Sequence, residues 1–205
     1  MNEYDENYFL HGKQAGKSLY ENYRWLPELT IPMVQAIVAH LSISKAETVL
    51  DFGCARGYVV RAFRELGYDA YGIDVSAWAV ENADPTVKKY VSLECLKPNY
   101  SWILAKDVLE HVPAAADTVT ELMNSAQCGV FAVVPLSKFD DRPYVIADYE
   151  KDVTHIHRLT LASWVQMFVR PGWRVECSYR VKGVKDNYAQ FEKGNGFVTA
   201  RRIHG

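Results

Sequence analysis

The sequence predicts an α/β fold with a mostly parallel sheet that ends in a reversed strand. Hydrophobic segments of strand length alternate with segments of helical period along most of the 205 residues, which is typical of sheets covered by helices. Two βα units follow each other between Thr48 and Asn82, and such tandem units imply parallel strands. No repeat or Pro/Gly-rich linker interrupts the pattern. We therefore expect a single domain over residues 1–205, with residues 1–30 as an aromatic N-terminal arm.

The first half of the chain contains the clearest elements. A helix is predicted from Pro32 to about Leu41, with Thr30 as its cap, because apolar side chains recur there at helical spacing. The predicted elements that follow are strand Thr48–Asp51, helix Tyr58–Leu66 ended by Gly67, strand Ala70–Asp74, helix Ala77–Asn82 and strand Lys89–Leu93.

The second half continues this alternation and then changes character. The next predicted elements are strand Trp102–Lys106, a helix that opens at Asp107, strand Val130–Val134 and helix Leu161–Val169 capped by Thr160. Beyond them, Arg174–Val181 and Phe197–Ile203 flank a segment rich in glycine, asparagine and charge, so we predict two antiparallel strands at the end of the chain.

Composition excludes several classes of protein. Lysine and arginine total 23 against 25 acidic residues, so no strong basic field attracts nucleic acid. The four cysteines form no CxxC pair, which is typical of reduced thiols in the cytoplasm. The N-terminal segment lacks the pattern of a secretory signal, and no apolar run reaches membrane-spanning length. We expect a cytoplasmic protein that binds neither nucleic acid nor membrane.

The most informative segment joins the first predicted strand to its helix. Gly53 allows a sharp turn off the strand, and Gly57 allows the start of the helix to lie close to a ligand. Asp51 ends this strand and Asp74 ends the next, so two carboxylates meet at the sheet edge where such folds bind ribose hydroxyls. This pattern favours a nucleoside ligand with a cationic tail, whereas the alternative is that both aspartates cap helices.

These residues resemble the class I S-adenosylmethionine-dependent methyltransferases. Asp51-x-Gly53-x-x-x-Gly57 matches the first motif of that family, Asp74 matches its second acidic residue, and Asp107–Val112 is similar to the segment after its fourth strand. Within the family, the chain is similar to the type 11 and type 12 enzymes and to those that methylate sugars and small molecules. The resemblance implies a Rossmann-like three-layer sandwich, with a seven-stranded sheet and an antiparallel C-terminal strand.

The resemblance also implies the cofactor and its contacts. S-adenosylmethionine would bind and S-adenosylhomocysteine would be the product. The residues it assigns to the cofactor are Asp51, Gly53, Cys54, Ala55 and Gly57 around the methionine part, Asp74 and Val75 at the ribose, and Lys106 beside the methionine part. Glu94 is the nearest candidate for the acidic residue that follows the third strand in many relatives.

Two histidines are candidate catalytic bases, because a neutral imidazole accepts a proton near pH 7. His111 follows Asp107 and Glu110, which we interpret as the N-cap and third residue of a helix. His155 lies in a segment similar to the Asp-x-Thr-His segment of methyltransferases that act on sugars and glycans, where Asp152 would orient it. The alternative interpretation is a turn in which Asp152 and Thr154 bind the backbone.

A metal site and a lid are two further possibilities. Asp152, His155 and His157 could ligate a cation, but magnesium prefers oxygen ligands and only one of the three supplies a carboxylate, so we expect no metal. Six aromatic side chains of the N-terminal arm either cover the cleft or pack in a hydrophobic seam: Tyr4, Tyr8, Phe9, Tyr20, Tyr23 and Trp25. Tyr20 is the one we expect to contact the cofactor.

The predicted activity is methyl transfer to a small molecule, with a hydroxyl of a sugar, glycan precursor or metabolite as the acceptor. The Asn/Asp-Pro-Pro-Tyr/Phe pattern of amino-group methylases is absent. An NAD(P)-dependent oxidoreductase is a second possibility, although Ala55 stands where the GxGxxG fingerprint has its middle glycine. A catalytically silent relative that binds cofactor and a protein partner is a third. The oligomeric state stays open.

Overall fold

A computed structural model describes residues 3–93 and 99–203 and places seven strands in one sheet. The strands are β1 Thr48–Phe52, β2 Asp69–Ile73, β3 Val91–Ser92, β4 Tyr100–Lys106, β5 Ala126–Pro135, β6 Trp173–Ser178 and β7 Asn195–Arg202. The helices are α1 Glu6–Leu10, α2 Gly12–Ala15, α3 Pro27–Leu41, α4 Tyr58–Glu65, α5 Ala77–Glu81, α6 Ala115–Ser125 and α7 Leu161–Gln166.

The strand order is β3-β2-β1-β4-β5-β7-β6. β1 pairs in parallel with β2 and β4, and β4 pairs in parallel with β5. β7 runs antiparallel to both β5 and β6. The predicted mostly parallel sheet with a reversed C-terminal strand is confirmed, and the carboxyl ends of β1, β2 and β4 lie together at one edge.

Helices cover both faces of the sheet, which gives three layers. Successive residues of β1 point to opposite sides: Val49 packs in one hydrophobic cluster with α3 and α4, and Leu50 packs in the other with α6 and α7. Both side chains are fully buried. A strand buried on both faces needs a nearly continuous apolar run, and β5 provides it between Val130 and Val134.

The first long helix begins earlier than predicted, at Pro27 rather than near Pro32. Pro27 occupies the first helical position, where its fixed φ suits the helix and its missing N–H leaves no bond unmade. The backbone N–H groups of Leu29 and Thr30 donate to the carbonyl oxygen of Leu26, so Thr30 lies inside the helix and is not its cap. Pro32 is tolerated in the helix, whose apolar face packs on the sheet.

The prediction of a helix opening at Asp107 is wrong. Asp107 has a φ of 54°, which is left-handed and unlike the extended backbone of an N-cap. A short 3-10 helix, Leu109–His111, follows, and α6 begins only at Ala115, after Pro113. Glu110 is therefore not the third residue of an α-helix, and its side chain is buried.

The remaining elements agree with the predictions apart from shifts of a few residues at their ends. The largest is at β5, which begins four residues early, at Ala126. Residues 88–90 form a 3-10 turn ahead of a short β3, and α7 and β6 each end three residues early. The Thr160 hydroxyl caps α7 as predicted, accepting a hydrogen bond from the Ser163 backbone. No helix within the described ranges is long and apolar enough to cross a membrane.

Candidate active site

A cavity of about 370 Å³ lies where the carboxyl ends of β1, β2 and β4 meet the N-terminal arm. Its wall is formed by Tyr4, Tyr8, Phe9, Tyr20, Phe52, Gly53, Ala55, Ile73, Asp74, Val75, Leu93, Asp107, Val108, His111, Val112 and Pro113. Clefts at this edge of an α/β sheet are the usual ligand sites of such folds. The cavity combines a mostly apolar wall with a few polar groups, which suits an organic ligand.

The turn after β1 places its backbone at the cavity. Gly53 has a φ of +77° and Ala55 a φ of 48°, and a Cβ on Gly53 would lie 2.5 Å from Cγ2 of Val108. The N–H groups of Gly53 and Cys54 both donate to the carbonyl oxygen of Ile73, which ties the turn to the end of β2. Only glycine permits this approach between the β1 and β4 loops.

Asp74 supports the same turn. One carboxylate oxygen accepts the Ala55 N–H at 2.7 Å and the other accepts the Ser76 N–H at 2.8 Å. Burial raises the pKa of Asp74, and these two N–H donors oppose that shift. Each oxygen retains a further lone pair, because a carboxylate offers about four acceptor sites.

Asp51 is buried, and its carboxylate has no hydrogen-bond partner among residues 3–93 and 99–203. Burial raises the pKa of Asp51 to about 7, while the nearby ammonium group of Lys106 favours its ionised form. A ligand cation at this point would favour the ionised carboxylate in the same way as Lys106 does.

Asp107 lies between two lysines. Its carboxylate oxygens lie 2.5 Å from Nζ of Lys106 and 2.6 Å from Nζ of Lys185. Although burial opposes ionisation, the two ammonium groups hold the pKa of Asp107 well below its usual range. Lys185 comes from the β6–β7 connection and also lies over the ring of Tyr149. Nothing in the sequence indicated that Lys185 reaches this edge.

His111 is oriented by a chain of hydrogen bonds. The Thr154 hydroxyl donates to Oδ1 of Asp152 at 2.6 Å, and the Tyr8 hydroxyl donates to Oδ2 at 2.8 Å. Nδ1 of His111 lies 2.8 Å from the Thr154 oxygen. With the Thr154 hydroxyl proton assigned to the carboxylate, we assign the hydrogen of the bond between His111 and Thr154 to Nδ1 of His111. The lone pair of His111 is therefore on Nε2.

His155 lies behind His111 and is not part of the cavity wall. The two rings are 4.6 Å apart, and Nε2 of His155 is 3.9 Å from Oε1 of Glu110. Burial lowers the pKa of both imidazoles, that of His155 to about 4 with a contribution from His111. Burial and the charge of Asp107 raise the pKa of Glu110 to about 8. Both histidines are neutral at pH 7.

The structure does not place Asp152 as the partner of His155. Asp152 forms the turn of the alternative interpretation, with Oδ1 accepting the Thr154 N–H at 3.0 Å, and it stays 4.0 Å from Nε2 of His155. His157 turns away and shares a 2.8 Å hydrogen bond with the carbonyl oxygen of Val112. Asp152, His155 and His157 therefore do not converge on one point.

The aromatic arm both covers the cavity and packs. The Ser76 hydroxyl donates to the Tyr4 carbonyl at 2.5 Å, and Phe9 stacks on Trp78 with ring centroids 5.5 Å apart. Tyr23 and Trp25 contact Tyr58 instead of the cavity. The arm is thus attached on the β2 side through Ser76 and on the opposite side through the bond from Tyr8 to Asp152.

The predicted site residues separate into two groups. Those in the cavity wall are Gly53, Ala55, Asp74, Val75, Tyr20 and His111. Those outside it are Asp51, Cys54, Gly57, Lys106 and His155. Cys54 packs against Gly72, and Gly57 caps α4 facing Val87 and Val91. Glu94 lies outside the described residues.

The strand order, the glycine turn and the carboxylates at the ends of β1 and β2 define a class I S-adenosylmethionine-dependent methyltransferase. A family model described as "Methyltransferase domain" matches residues 25–178. The chain belongs to this methyltransferase domain family.

Solved structures share the fold at low sequence identity. A methyltransferase of Haloferax volcanii in complex with the activator Trm112 has a TM-score of 0.64 at 14% identity, over 87% of this chain and 91% of that one. Phosphoethanolamine N-methyltransferase 2 of Haemonchus contortus, with bound S-adenosylmethionine, has a TM-score of 0.64 at 15% identity, over 83% of this chain and 52% of that one.

A third similar structure is the 1,6-didemethyltoxoflavin-N1-methyltransferase of Burkholderia thailandensis, which holds its substrate and S-adenosylhomocysteine. Its TM-score is 0.59 at 18% identity, over 84% of this chain and 77% of that one. No curated protein sequence matches the chain.

Proposed function

We propose that this protein transfers the methyl group of S-adenosylmethionine to a hydroxyl group of a small molecule, such as a sugar, a glycan precursor or a related metabolite. The observation that carries the proposal is the position of His111. Its ring lies in the wall of the cofactor cavity, and its Nδ1 is committed to Thr154. The free lone pair on Nε2 suits a group that accepts the proton of an acceptor hydroxyl.

In this proposal the two aspartates bind the polar ends of the cofactor. The Asp51 carboxylate receives the ammonium group of the methionine part, whose charge favours the ionised carboxylate against the effect of burial. The free lone pairs of Asp74 accept the ribose hydroxyls. Val75 and Leu93 offer apolar surface for the adenine ring. Tyr20 covers the methionine part from the arm.

Three further predicted residues act through the shape of the site. Cys54 and Gly57 hold the turn in its conformation, and the turn presents the backbone of Gly53 and Ala55 to the cofactor. Lys106 fixes Asp107 at the end of β4. His155 supports the ring of His111 through their 4.6 Å contact and acts as a positioning residue in this proposal.

The proposed reaction is an in-line displacement. The acceptor oxygen forms a bond to the methyl carbon while the carbon–sulfur bond breaks, and sulfur keeps the electron pair to give neutral S-adenosylhomocysteine. The hydroxyl proton passes to Nε2 of His111. Asp152 stabilises the resulting imidazolium through the Thr154 hydroxyl. The arm excludes water and holds the reactants in line.

We infer that the reaction takes place in the cytoplasm. Cys54, Cys128 and Cys177, the cysteines within the described ranges, are free thiols, which fits a reducing compartment. The net charge of −2 favours an uncharged or weakly charged acceptor over nucleic acid.

Two measurements test the proposal. Calorimetry with S-adenosylmethionine, S-adenosylhomocysteine and NADH is expected to detect binding of the first two only. Transfer of a labelled methyl group to a panel of sugars, nucleotide-sugars and phenols then identifies the acceptor. With that acceptor, His111→Gln is expected to lower kcat by about 10²–10⁴-fold and to leave the Kd of S-adenosylhomocysteine within a few fold.

His40→Gln is the matched control, because His40 bonds Thr199 on the other face of the sheet and is expected to leave kcat unchanged. Full activity of His111→Gln would exclude this imidazole as the base. Cofactor binding without transfer to any hydroxyl, combined with transfer to an amine or thiol, would overturn the acceptor class.

A further inference from the structure

Three side chains with metal-ligand chemistry converge beside the cavity. Donor atoms of Glu110, His111 and His155 all lie within 4.8 Å of one another. Glu110 and His111 are adjacent in the 3-10 helix Leu109–His111. The N–H groups of Ile156 and His157 both donate to the carbonyl oxygen of Glu110, and this pairing of two loops brings His155 to the other two.

Buried atoms of this cluster lack partners within the described residues. Oε2 of Glu110 and Nδ1 of His155 make no hydrogen bond there, and Glu110 is 1% exposed. Lys106 and Lys185, the nearby cations, both bind Asp107 instead. A buried polar atom without a partner is unfavourable. A cation between the three side chains would give the buried Glu110 carboxylate a partner.

His111 already has the support that metal-binding histidines need. Its Nδ1–H is donated to Thr154, which is itself held by Asp152. Histidines that bind metals through one nitrogen almost always donate the other N–H to a carboxylate or another acceptor, which fixes the tautomer and the ring. The free Nε2 is the nitrogen that a metal would take.

We propose that Glu110, His111 and His155 bind a divalent transition-metal ion of the Zn²⁺ class. Two imidazoles and one carboxylate suit Zn²⁺, Fe²⁺ or Co²⁺ better than Mg²⁺, which prefers oxygen ligands. Zinc ligands lie about 2.0–2.2 Å from the ion, so the side chains close in by rotation when it binds. Three protein ligands leave one tetrahedral position open.

The expected effect of the ion on catalysis rests on the proposed function. The binding of the ion to Glu110, His111 and His155 does not. An ion on Nε2 of His111 occupies the lone pair that accepts the hydroxyl proton. Metal binding and proton acceptance therefore exclude each other. We expect saturating Zn²⁺ to inhibit methyl transfer and a chelator to restore it.

The test uses the 205-residue protein stripped of metal by chelator and dialysis. Titration with Co²⁺ is expected to produce d–d absorption bands that saturate at one equivalent, and calorimetry with Zn²⁺ is expected to give the same stoichiometry. Glu110→Gln and His155→Gln are each expected to raise the Kd for Zn²⁺ at least tenfold. His11→Gln removes an exposed imidazole outside the cluster and serves as the control.

Circular dichroism and the Kd of S-adenosylhomocysteine report whether each variant is folded. Absence of one-equivalent binding, equal affinity in wild type and both cluster variants, or a loss confined to His11→Gln would overturn the metal site. Because these readouts need no acceptor, they stand even if no hydroxyl is methylated. Binding at the cluster without inhibition of transfer would instead contradict the role of His111 as base.

Discussion

Gly53→Ala tests the close approach of the β1 and β4 loops. The added Cβ would lie 2.5 Å from Cγ2 and 2.9 Å from Cβ of Val108, closer than packed carbon atoms come. The position also has a φ of +77°, which an alanine adopts only with strain. Two separate costs therefore act on the same substitution.

A second glycine separates the cost of the backbone strain from the cost of the clash with Val108. Gly172 has a φ of +79°, and a Cβ there would have nothing within 4 Å, so Gly172→Ala carries the backbone cost alone, about 1–2 kcal/mol. Overpacking adds about 1–3 kcal/mol, which makes Gly53→Ala cost roughly 2–5 kcal/mol. At about 2–4 °C per kcal/mol for a chain of this size, we expect Tm to fall clearly further for Gly53→Ala.

The assay is thermal unfolding of both variants and wild type by circular dichroism, followed by calorimetry with S-adenosylhomocysteine. Gly53→Ala is expected to lose cofactor affinity as well as stability, because relief of the clash moves the turn that lines the cavity. Gly172→Ala is expected to keep wild-type affinity. Equal falls in Tm for the two variants, or unchanged affinity in Gly53→Ala, would refute the reasoning.

Three further predictions concern two proposed cofactor contacts and the N-terminal arm. Asp74→Asn weakens charge-assisted hydrogen bonds worth about 1.5–3 kcal/mol, so calorimetry should show the Kd of S-adenosylhomocysteine rising at least about tenfold; an unchanged Kd contradicts the ribose assignment. Asp51 has a pKa of about 7 before the cofactor binds, and only its ionised form attracts the cofactor ammonium group. Affinity should therefore rise about fivefold from pH 6 to pH 7, and Asp51→Asn should remove this dependence; a dependence that survives in that variant points to another group. Tyr8→Phe removes the 2.8 Å bond to Asp152, so stopped-flow measurement should show S-adenosylhomocysteine dissociating several-fold faster. An unchanged dissociation rate would show that the arm does not cover the bound cofactor.

The helical start and the 3-10 segment show where sequence reasoning failed. A proline early in a periodic segment favoured a helix start at Pro32, but Pro27 satisfies the same rule one and a half turns earlier. Asp107 and Glu110 have the spacing of a capping box. Asp107 instead has a left-handed backbone, and its carboxylate contacts Lys185 from a distant segment as well as the adjacent Lys106.

Some of the candidate site residues can be identified from the sequence, and others only from the structure. The glycine turn and the two aspartates could be picked out as candidates from the sequence, because each lies within one local strand–turn–helix unit. The unit defines where the turn and the strand end lie, and the parallel order of β1 and β2 then brings the two carboxylates to one edge. The methyltransferase family followed from these local patterns.

The surroundings of His111 depend on contacts between distant segments. Tyr8 reaches Asp152 across 144 positions, Lys185 reaches Asp107 across 78, and Thr154 reaches His111 across 43. Local periodicity carries no information about such pairs, because they form only after the sheet order and the loop pairing are complete. The sequence alone determined the sheet, the family and the glycine turn after β1. The tertiary structure decided that His111 rather than His155 lines the cavity. The physical reason is that the backbone of Ile156 and His157 binds the Glu110 carbonyl, which places His155 behind His111.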